Sequence, residues 1–113
     1  MSQKEALLNP RVIVVQKLYS YHLNKETEIT FPKHRYKKFI KDVVNGTIER
    51  NELIQELIDK ELKEDINTNK TDLLIKLMIK AAVYEFMYMH KTPVKVVIAE
   101  YLKASDFFVH TPQ

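Results

Sequence analysis

Four histidines are the residues best suited to metal binding or proton transfer in this 113-residue chain, which contains no cysteine. They are His22, His34, His90 and His110, and no two of them stand four residues apart, the spacing that places two ligands on one helix face. The absence of cysteine also excludes thiol chemistry. We therefore expect neither a metal site nor a cofactor.

The remaining reactive side chains also lack the surroundings that catalysis needs. Ser20 and Ser105 lie within helical patterns and have no nucleophile elbow around them. The only glycine, Gly46, cannot form a glycine-rich phosphate loop by itself. The acidic pair Glu49 and Glu52 falls on a polar helix face, which is typical of solvated charge rather than of acid–base catalysis. The pattern predicts a binding protein and not an enzyme.

Positive charge is concentrated at one end of the chain. Residues 1–41 hold nine basic residues against three acidic ones, whereas residues 42–113 hold nine against twelve. A basic end suits a polyanion such as RNA. On charge alone, solvated lysines on ordinary helix faces are the commoner explanation.

The amino terminus and the most apolar segment both favour a cytoplasmic protein. The first ten residues show no positive flank followed by an apolar run, as a secretory signal would. The most apolar window, residues 73–89, is interrupted by Lys76, Lys80 and Glu85, charges that membrane spans seldom carry.

The elements that must position any site are predicted to be helices. One glycine and four prolines are too few turn residues for an all-β fold, and the apolar spacing is helical throughout. Five main helices are expected: one from Asn9-Pro10, one over residues 36–48, one from near Asn51, one over 71–89 and one from Thr92-Pro93, with loops at 24–32 and 63–70. Gly46 either permits a close helix approach or marks a break. The fold class predicted is all-α, a compact helical bundle.

The fourth predicted helix is apolar nearly all round, which is typical of a central, buried helix. Its polar exceptions are Lys76, Lys80, Tyr84 and Tyr88, which follow one another at intervals of four residues. Because side chains four residues apart share a helix face, we expect this row to face solvent or a partner.

Several segments together resemble the NusB family. They are residues 11–19 (RVIVVQKLY), 39–46 (FIKDVVNG), 79–86 (IKAAVYEF), 92–101 (TPVKVVIAEY) and 103–107 (KASDF). These segments occur in the order and at the spacing of that family, across about residues 10–108. The resemblance implies one NusB-like domain over residues 1–113, with an amino-terminal helical subdomain (1–66) packed on a carboxy-terminal one (67–113).

The resemblance also implies a function and partners. NusB proteins bind boxA-like single-stranded RNA together with a small-subunit ribosomal protein, NusE, and so help the RNA polymerase elongation complex to pass terminators. By similarity, the RNA-binding residues here are Lys4, Arg11, Gln16, Tyr19 and Lys80. The residues expected to face a protein partner are Glu85, Tyr84, Tyr88 and Glu100.

Three departures from the family pattern bear on this expectation. The arginine cluster that often precedes the first helix is thinned to Lys4 and Arg11, which predicts weaker and less salt-sensitive RNA binding. Ala99 stands where asparagine is usual. The sequence also stops where the family continues with a final helix, so apolar faces of the last two helices are expected to be uncovered and to promote a homodimer.

Three alternatives remain beside an RNA-binding antitermination factor. One is a protein-only adaptor that keeps the NusE surface and has lost the RNA site. Another is a fragment of an RNA-modifying enzyme, since this fold also precedes RNA methyltransferase domains. The last is an unrelated helical bundle.

Overall fold

The fold is built from helices joined by short connections. The computed structural model describes residues 2–62 and 73–110, and in this part of the chain it contains helices and no strand. The helices are α1 (Gln3–Leu8), α2 (Pro10–Leu23), α3 (Lys37–Glu49), α4 (Asn51–Leu62), α5 (Leu73–Tyr88) and α6 (Val94–His110). The all-α prediction is confirmed, and α2 to α6 correspond to the five predicted helices. The loop expected at residues 63–70 lies outside the described residues.

The short helix α1 was not predicted from the sequence. Ser2 caps it, because the Ser2 hydroxyl oxygen accepts a hydrogen bond from the Glu5 backbone N–H at 3.1 Å. Ala6 of α1 is buried in a small apolar cluster with Ala104 and Phe107 of α6. An isolated helix of this length is unstable in water, so this tertiary contact is what stabilises it.

Helix α2 begins where the sequence indicates. The side-chain oxygen of Asn9 accepts hydrogen bonds from the backbone N–H groups of Arg11 and Val12, at 3.0 and 3.3 Å. Pro10 occupies the first turn, where its missing N–H has no hydrogen bond to lose. The predicted cap and start of this helix are confirmed.

The main core lies between α2, α3, α5 and α6. Its buried residues are Ile13, Val14, Val15, Leu18, Ile40, Val43, Val44, Leu74, Leu77, Met78, Ala81, Val97 and Tyr101. They come from both halves of the chain, whose predicted division at residue 66 falls outside the described residues. Helix α5 is central, since it packs against α2, α3, α4 and α6.

The predicted polar row of α5 lies mostly against other helices of the same chain. The Lys80 ammonium donates a hydrogen bond to the Asn51 side chain of α4 at 2.9 Å. The ring of Tyr84 covers Gly46 of α3, and the Arg50 guanidinium lies 4.3 Å from the centre of the Tyr88 ring. We expected this row to face solvent or a partner. That expectation was only partly right, because the junction of α3 and α4 covers part of the row.

Two apolar residues of α5, Ile75 and Met87, are exposed to solvent. In the part of the chain that the structure describes, no helix combines the length and the apolar content needed to cross a membrane.

Gly46 permits a close approach of α3 and α5, the first of the two roles predicted for it. A Cβ atom placed on Gly46 would collide with the end of the Tyr84 ring. The backbone of Gly46 is ordinary helix, so the glycine is needed for space and not for a special conformation.

We predict that Gly46→Ala gains little or no stability in the native protein but gains it once the Tyr84 ring is removed. Alanine favours a helix by about 1 kcal/mol over glycine, and displacing the Tyr84 ring opposes that gain. Urea unfolding of G46A, Y84A and the double variant measures the coupling between the two positions. Equal stabilisation by G46A with and without the Tyr84 ring would contradict the proposed contact.

Candidate nucleic-acid and partner interface

Two of the residues expected at the surface form a buried ion pair instead. The Arg11 side chain donates two hydrogen bonds to the Glu85 carboxylate, from Nε to Oε2 at 3.0 Å and from Nη2 to Oε1 at 2.7 Å. Glu85 is 1% exposed and Arg11 is 8% exposed. This two-point geometry matches the planar guanidinium to the carboxylate and joins the first turn of α2 to α5.

Aromatic rings line the space around this ion pair. The Arg11 guanidinium carbon lies 4.9 Å from the centre of the Phe39 ring and 5.5 Å from that of Tyr101. The ion pair therefore lies where α2, α3, α5 and α6 meet. Burial alone would lower the pKa of Arg11, but the hydrogen bonds and charge of Glu85 outweigh it, so the pKa is raised and Arg11 stays charged.

Arg11 and Glu85 were expected to contact RNA and a protein partner, respectively. Neither prediction is tested by the structure, but in this conformation the two charges face each other and neither is presented to solvent. Sequence reasoning missed the pairing. The only indication of the pair in the sequence was that α2 has one arginine, at its start, and that α5 has one acidic residue.

The other residues predicted to bind RNA differ in how exposed they are. Lys4 and Gln16 are exposed, and Tyr19 is half-buried against the core. Gln16 and Tyr19 are three residues apart on α2, so their side chains lie on one side of the helix. This side is the accessible part of the predicted RNA site.

Lys80 of α5 lies near a different side of α2 from the side that carries Gln16. It lines a cavity of about 600 Å³ together with Leu18, His22 and Lys25. Leu18 is two residues from Gln16, and side chains two apart on a helix point in nearly opposite directions. The structure therefore does not bring Lys80 and Gln16 to one surface. Burial lowers the pKa of Lys80, and the positive charge of Lys76 lowers it further.

The residues predicted to face a protein partner are spread over two helices. The rings of Tyr84 and Tyr88 are 5.2 Å apart between centres, and Tyr88 is the more exposed of the two. Glu100 of α6 is half-buried, and its charge contributes to the raised pKa of Arg11. Their roles in partner binding stay predictions.

A second basic surface lies around the start of α3. It comprises exposed residues at the start of α3 and in the segment before it: Lys33, Arg35, Lys37, Lys38 and Lys41. Lys38 forms an exposed ion pair with Asp42 at 2.9 Å. We call these five residues the α3 basic face. Helix α3 packs against α2, which carries Gln16 and Tyr19.

The described residues were also compared with the clusters that hold metal ions. Among the residues the structure describes, no three or more His, Asp or Glu side chains come together as metal ligands. The exposed or half-buried groups described above are cations, an amide and a phenol.

We predict that Glu85→Gln lowers the free energy of unfolding by about 3–5 kcal/mol, because it leaves the Arg11 charge buried without a counter-charge. Replacing both partners by apolar residues, Arg11→Met with Glu85→Leu, should recover most of that loss. The matched control is Asp42→Asn, which breaks the exposed pair with Lys38 and should cost about 0.5 kcal/mol or less. Equal effects of E85Q and D42N in urea unfolding would rule out a structural role for the ion pair.

Tyr101 gives a second prediction, on pH dependence. Burial raises the pKa of the Tyr101 hydroxyl well above its usual value, and the charge of Glu85 raises it further. Above about pH 10 the unfolded chain loses this proton while the folded chain keeps it, so stability falls by up to about 1.4 kcal/mol per pH unit. Tyr101→Phe should remove this part of the alkaline loss, as measured by urea unfolding from pH 8 upward. The half-buried Tyr19, changed to Phe, is the control. Parallel pH profiles for Y101F and the native chain would exclude the effect.

Comparison with known proteins agrees with the fold and with the segments from which the resemblance was drawn. The model of the NusB family matches residues 8–112. The chain is similar to the transcription antitermination protein NusB of Bradyrhizobium diazoefficiens, with 27% identity over 71 residues, which is 63% of this chain and 43% of that protein. The NusB protein of Mesorhizobium japonicum is 24% identical over 89 residues, which is 79% of this chain and 57% of that protein.

A third relative, the NusB protein of Rhodopseudomonas palustris strain BisB5, is 28% identical over 71 residues, or 63% of this chain and 41% of that protein. The chain thus spans about half the length of the relatives that it matches. No solved structure matches the chain. Since the family model covers nearly the whole sequence and its helices fall where that resemblance implies, the chain belongs to the NusB family.

Proposed function

We propose that this chain is a transcription antitermination factor that binds boxA-like single-stranded RNA together with NusE and acts on the RNA polymerase elongation complex. Membership of the NusB family carries this proposal. Cations, an amide and an aromatic ring are exposed on or beside α2, and they supply the chemistry that single-stranded RNA requires.

The RNA surface that we propose combines Gln16 and Tyr19 of α2 with Lys4 of α1, a helix that packs against α2. An exposed amide can hydrogen-bond a base edge, and a half-exposed phenol ring can stack on a base. Lys4 neutralises a phosphate. The α3 basic face adds cations on the helix that packs against α2.

The Arg11 guanidinium is buried and hydrogen-bonded to Glu85, so we leave Arg11 out of the surface that we propose. The leading segment therefore presents fewer free cations than its sequence suggests. This observation favours a second candidate function, a protein-only adaptor that binds NusE without RNA. The two candidates differ in whether RNA and NusE strengthen each other's binding.

The test is a fluorescence anisotropy titration of labelled boxA-like RNA with the chain, with and without NusE. The proposal expects RNA to bind more tightly with NusE present, and expects a scrambled RNA to bind more weakly. If the chain binds NusE normally but binds no RNA, with or without NusE, the protein-only adaptor replaces the proposal. Binding of neither partner would contradict both.

We predict that Gln16→Ala weakens RNA binding in this assay without changing stability, because Gln16 is exposed. Lys4→Gln should lower the slope of log K against log salt concentration by about 0.7, the value for one phosphate contact on a single strand. Lys60→Gln is the matched control, since Lys60 is an exposed lysine on α4, away from α1 and α2. Equal salt slopes for K4Q and K60Q would remove Lys4 from the RNA site.

A further inference from the structure

The α3 basic face concentrates positive charge around the beginning of one helix. Residues 33–42 contain five basic side chains and one acidic side chain, and all six are exposed. The acid, Asp42, pairs with Lys38 at 2.9 Å. The other four cations are Lys33, Arg35, Lys37 and Lys41. No carboxylate among the described residues pairs with any of these four, so the face keeps a net positive charge.

The position of these cations is unfavourable for helix α3 itself. The helix begins at Lys37, and the side chain of the preceding residue, Tyr36, does not cap it with a hydrogen bond. Its first turn contains Lys37 and Lys38 and no acidic residue. The amino-terminal end of a helix carries partial positive charge, so cations are repelled there and acids are favoured. The sequence therefore places cations where acids would stabilise the helix.

An exposed aromatic ring lies among the cations. Tyr36 is 46% exposed, and the Arg35 guanidinium carbon lies 5.4 Å from the centre of its ring. The Lys41 ammonium lies 6.0 Å from the centre of the half-buried Phe31 ring. Proteins that bind nucleic-acid single strands combine cations that neutralise phosphates with rings on which bases stack. The α3 basic face and Tyr36 together supply both kinds of group.

We propose that the α3 basic face and Tyr36 bind single-stranded RNA whatever its sequence, with a base stacked on Tyr36 and the neighbouring phosphates held by the cations. Stacking tolerates every base, because every base has an aromatic face. The phosphates are the same at every nucleotide. This inference goes beyond the proposed function, since it needs neither boxA nor NusE.

The exposed ring favours a single strand over the other polyanions that attract cations. In duplex RNA the faces of the bases are covered by their neighbours in the stack, which leaves Tyr36 without a partner. An anionic membrane attracts lysines and arginines through charge alone, so it gives the ring no base to stack on. Charge and ring are both used only when the ligand is a single strand.

The first test measures the binding of a short labelled oligouridine to the chain without NusE, by fluorescence anisotropy at low salt. Tyr36→Ala should weaken binding about tenfold, within the range that one stacked base contributes. Tyr36→Phe should bind like the native chain, because a phenylalanine ring also stacks. Circular dichroism checks that both variants are folded. Native binding by Y36A, or equal losses in Y36A and Y36F, would overturn the proposal.

The second test uses the conflict between helix stability and binding. Lys37→Glu removes a cation from the face and places an acid in the first turn of α3, so it should raise the urea midpoint and weaken oligouridine binding on the order of tenfold. The matched control is Lys95→Glu, which makes the same change at an exposed lysine in the first turn of α6. K95E should also raise the midpoint but leave binding unchanged. Equal weakening by K37E and K95E would show that only net charge matters and would overturn the proposal.

Two further measurements exclude the other polyanions. Duplex RNA that binds as tightly as oligouridine would contradict a role for stacking. Binding to phosphatidylserine vesicles that K37E abolishes, with no binding of oligouridine, would assign the face to a membrane surface. The outcomes are separate from those for the proposed function: a chain that binds oligouridine through this face but shows no preference for boxA and no coupling to NusE would confirm the inference and contradict the proposed function.

Discussion

The buried ion pair between Arg11 and Glu85 is the interaction on which the arrangement of the helices depends. Removing two charges from water costs several kcal/mol per ion, and this cost is offset only when both groups are fully paired. Arg11 lies in the first turn of α2 and Glu85 near the end of α5, so the pair holds these two helices in one relative position. Any shift of either helix would leave a charge buried without a partner. The pair therefore specifies the packing more than it adds stability.

The aromatic rings around the pair extend this constraint to α3 and α6. Phe39 comes from α3 and Tyr101 from α6, and each ring faces the Arg11 guanidinium. A ring face carries partial negative charge, which suits a cation held in a dry environment. Four helices thus contribute to one polar centre inside a largely apolar core.

The remaining surfaces follow from this packing. With α5 held centrally, its polar row meets the junction of α3 and α4, where Lys80 bonds Asn51 and Tyr84 covers Gly46. Ile75 and Met87 of the same helix are exposed, and Ile75 lines a groove between α5 and α6. The residues proposed to bind RNA on α1 and α2 belong to neither of these sets of α5 residues.

Local patterns in the sequence determined the helices, because caps and apolar periodicity act over a few residues. Asn9-Pro10 set the start of α2, and the spacing of Ile40, Val43 and Val44 set the buried face of α3. By contrast, the partner of Arg11 lies 74 residues away, and no local pattern identifies which acid it meets. Which side of α5 faces the chain's own helices was likewise decided only by tertiary packing, since a helix that is apolar nearly all round has no single face to bury.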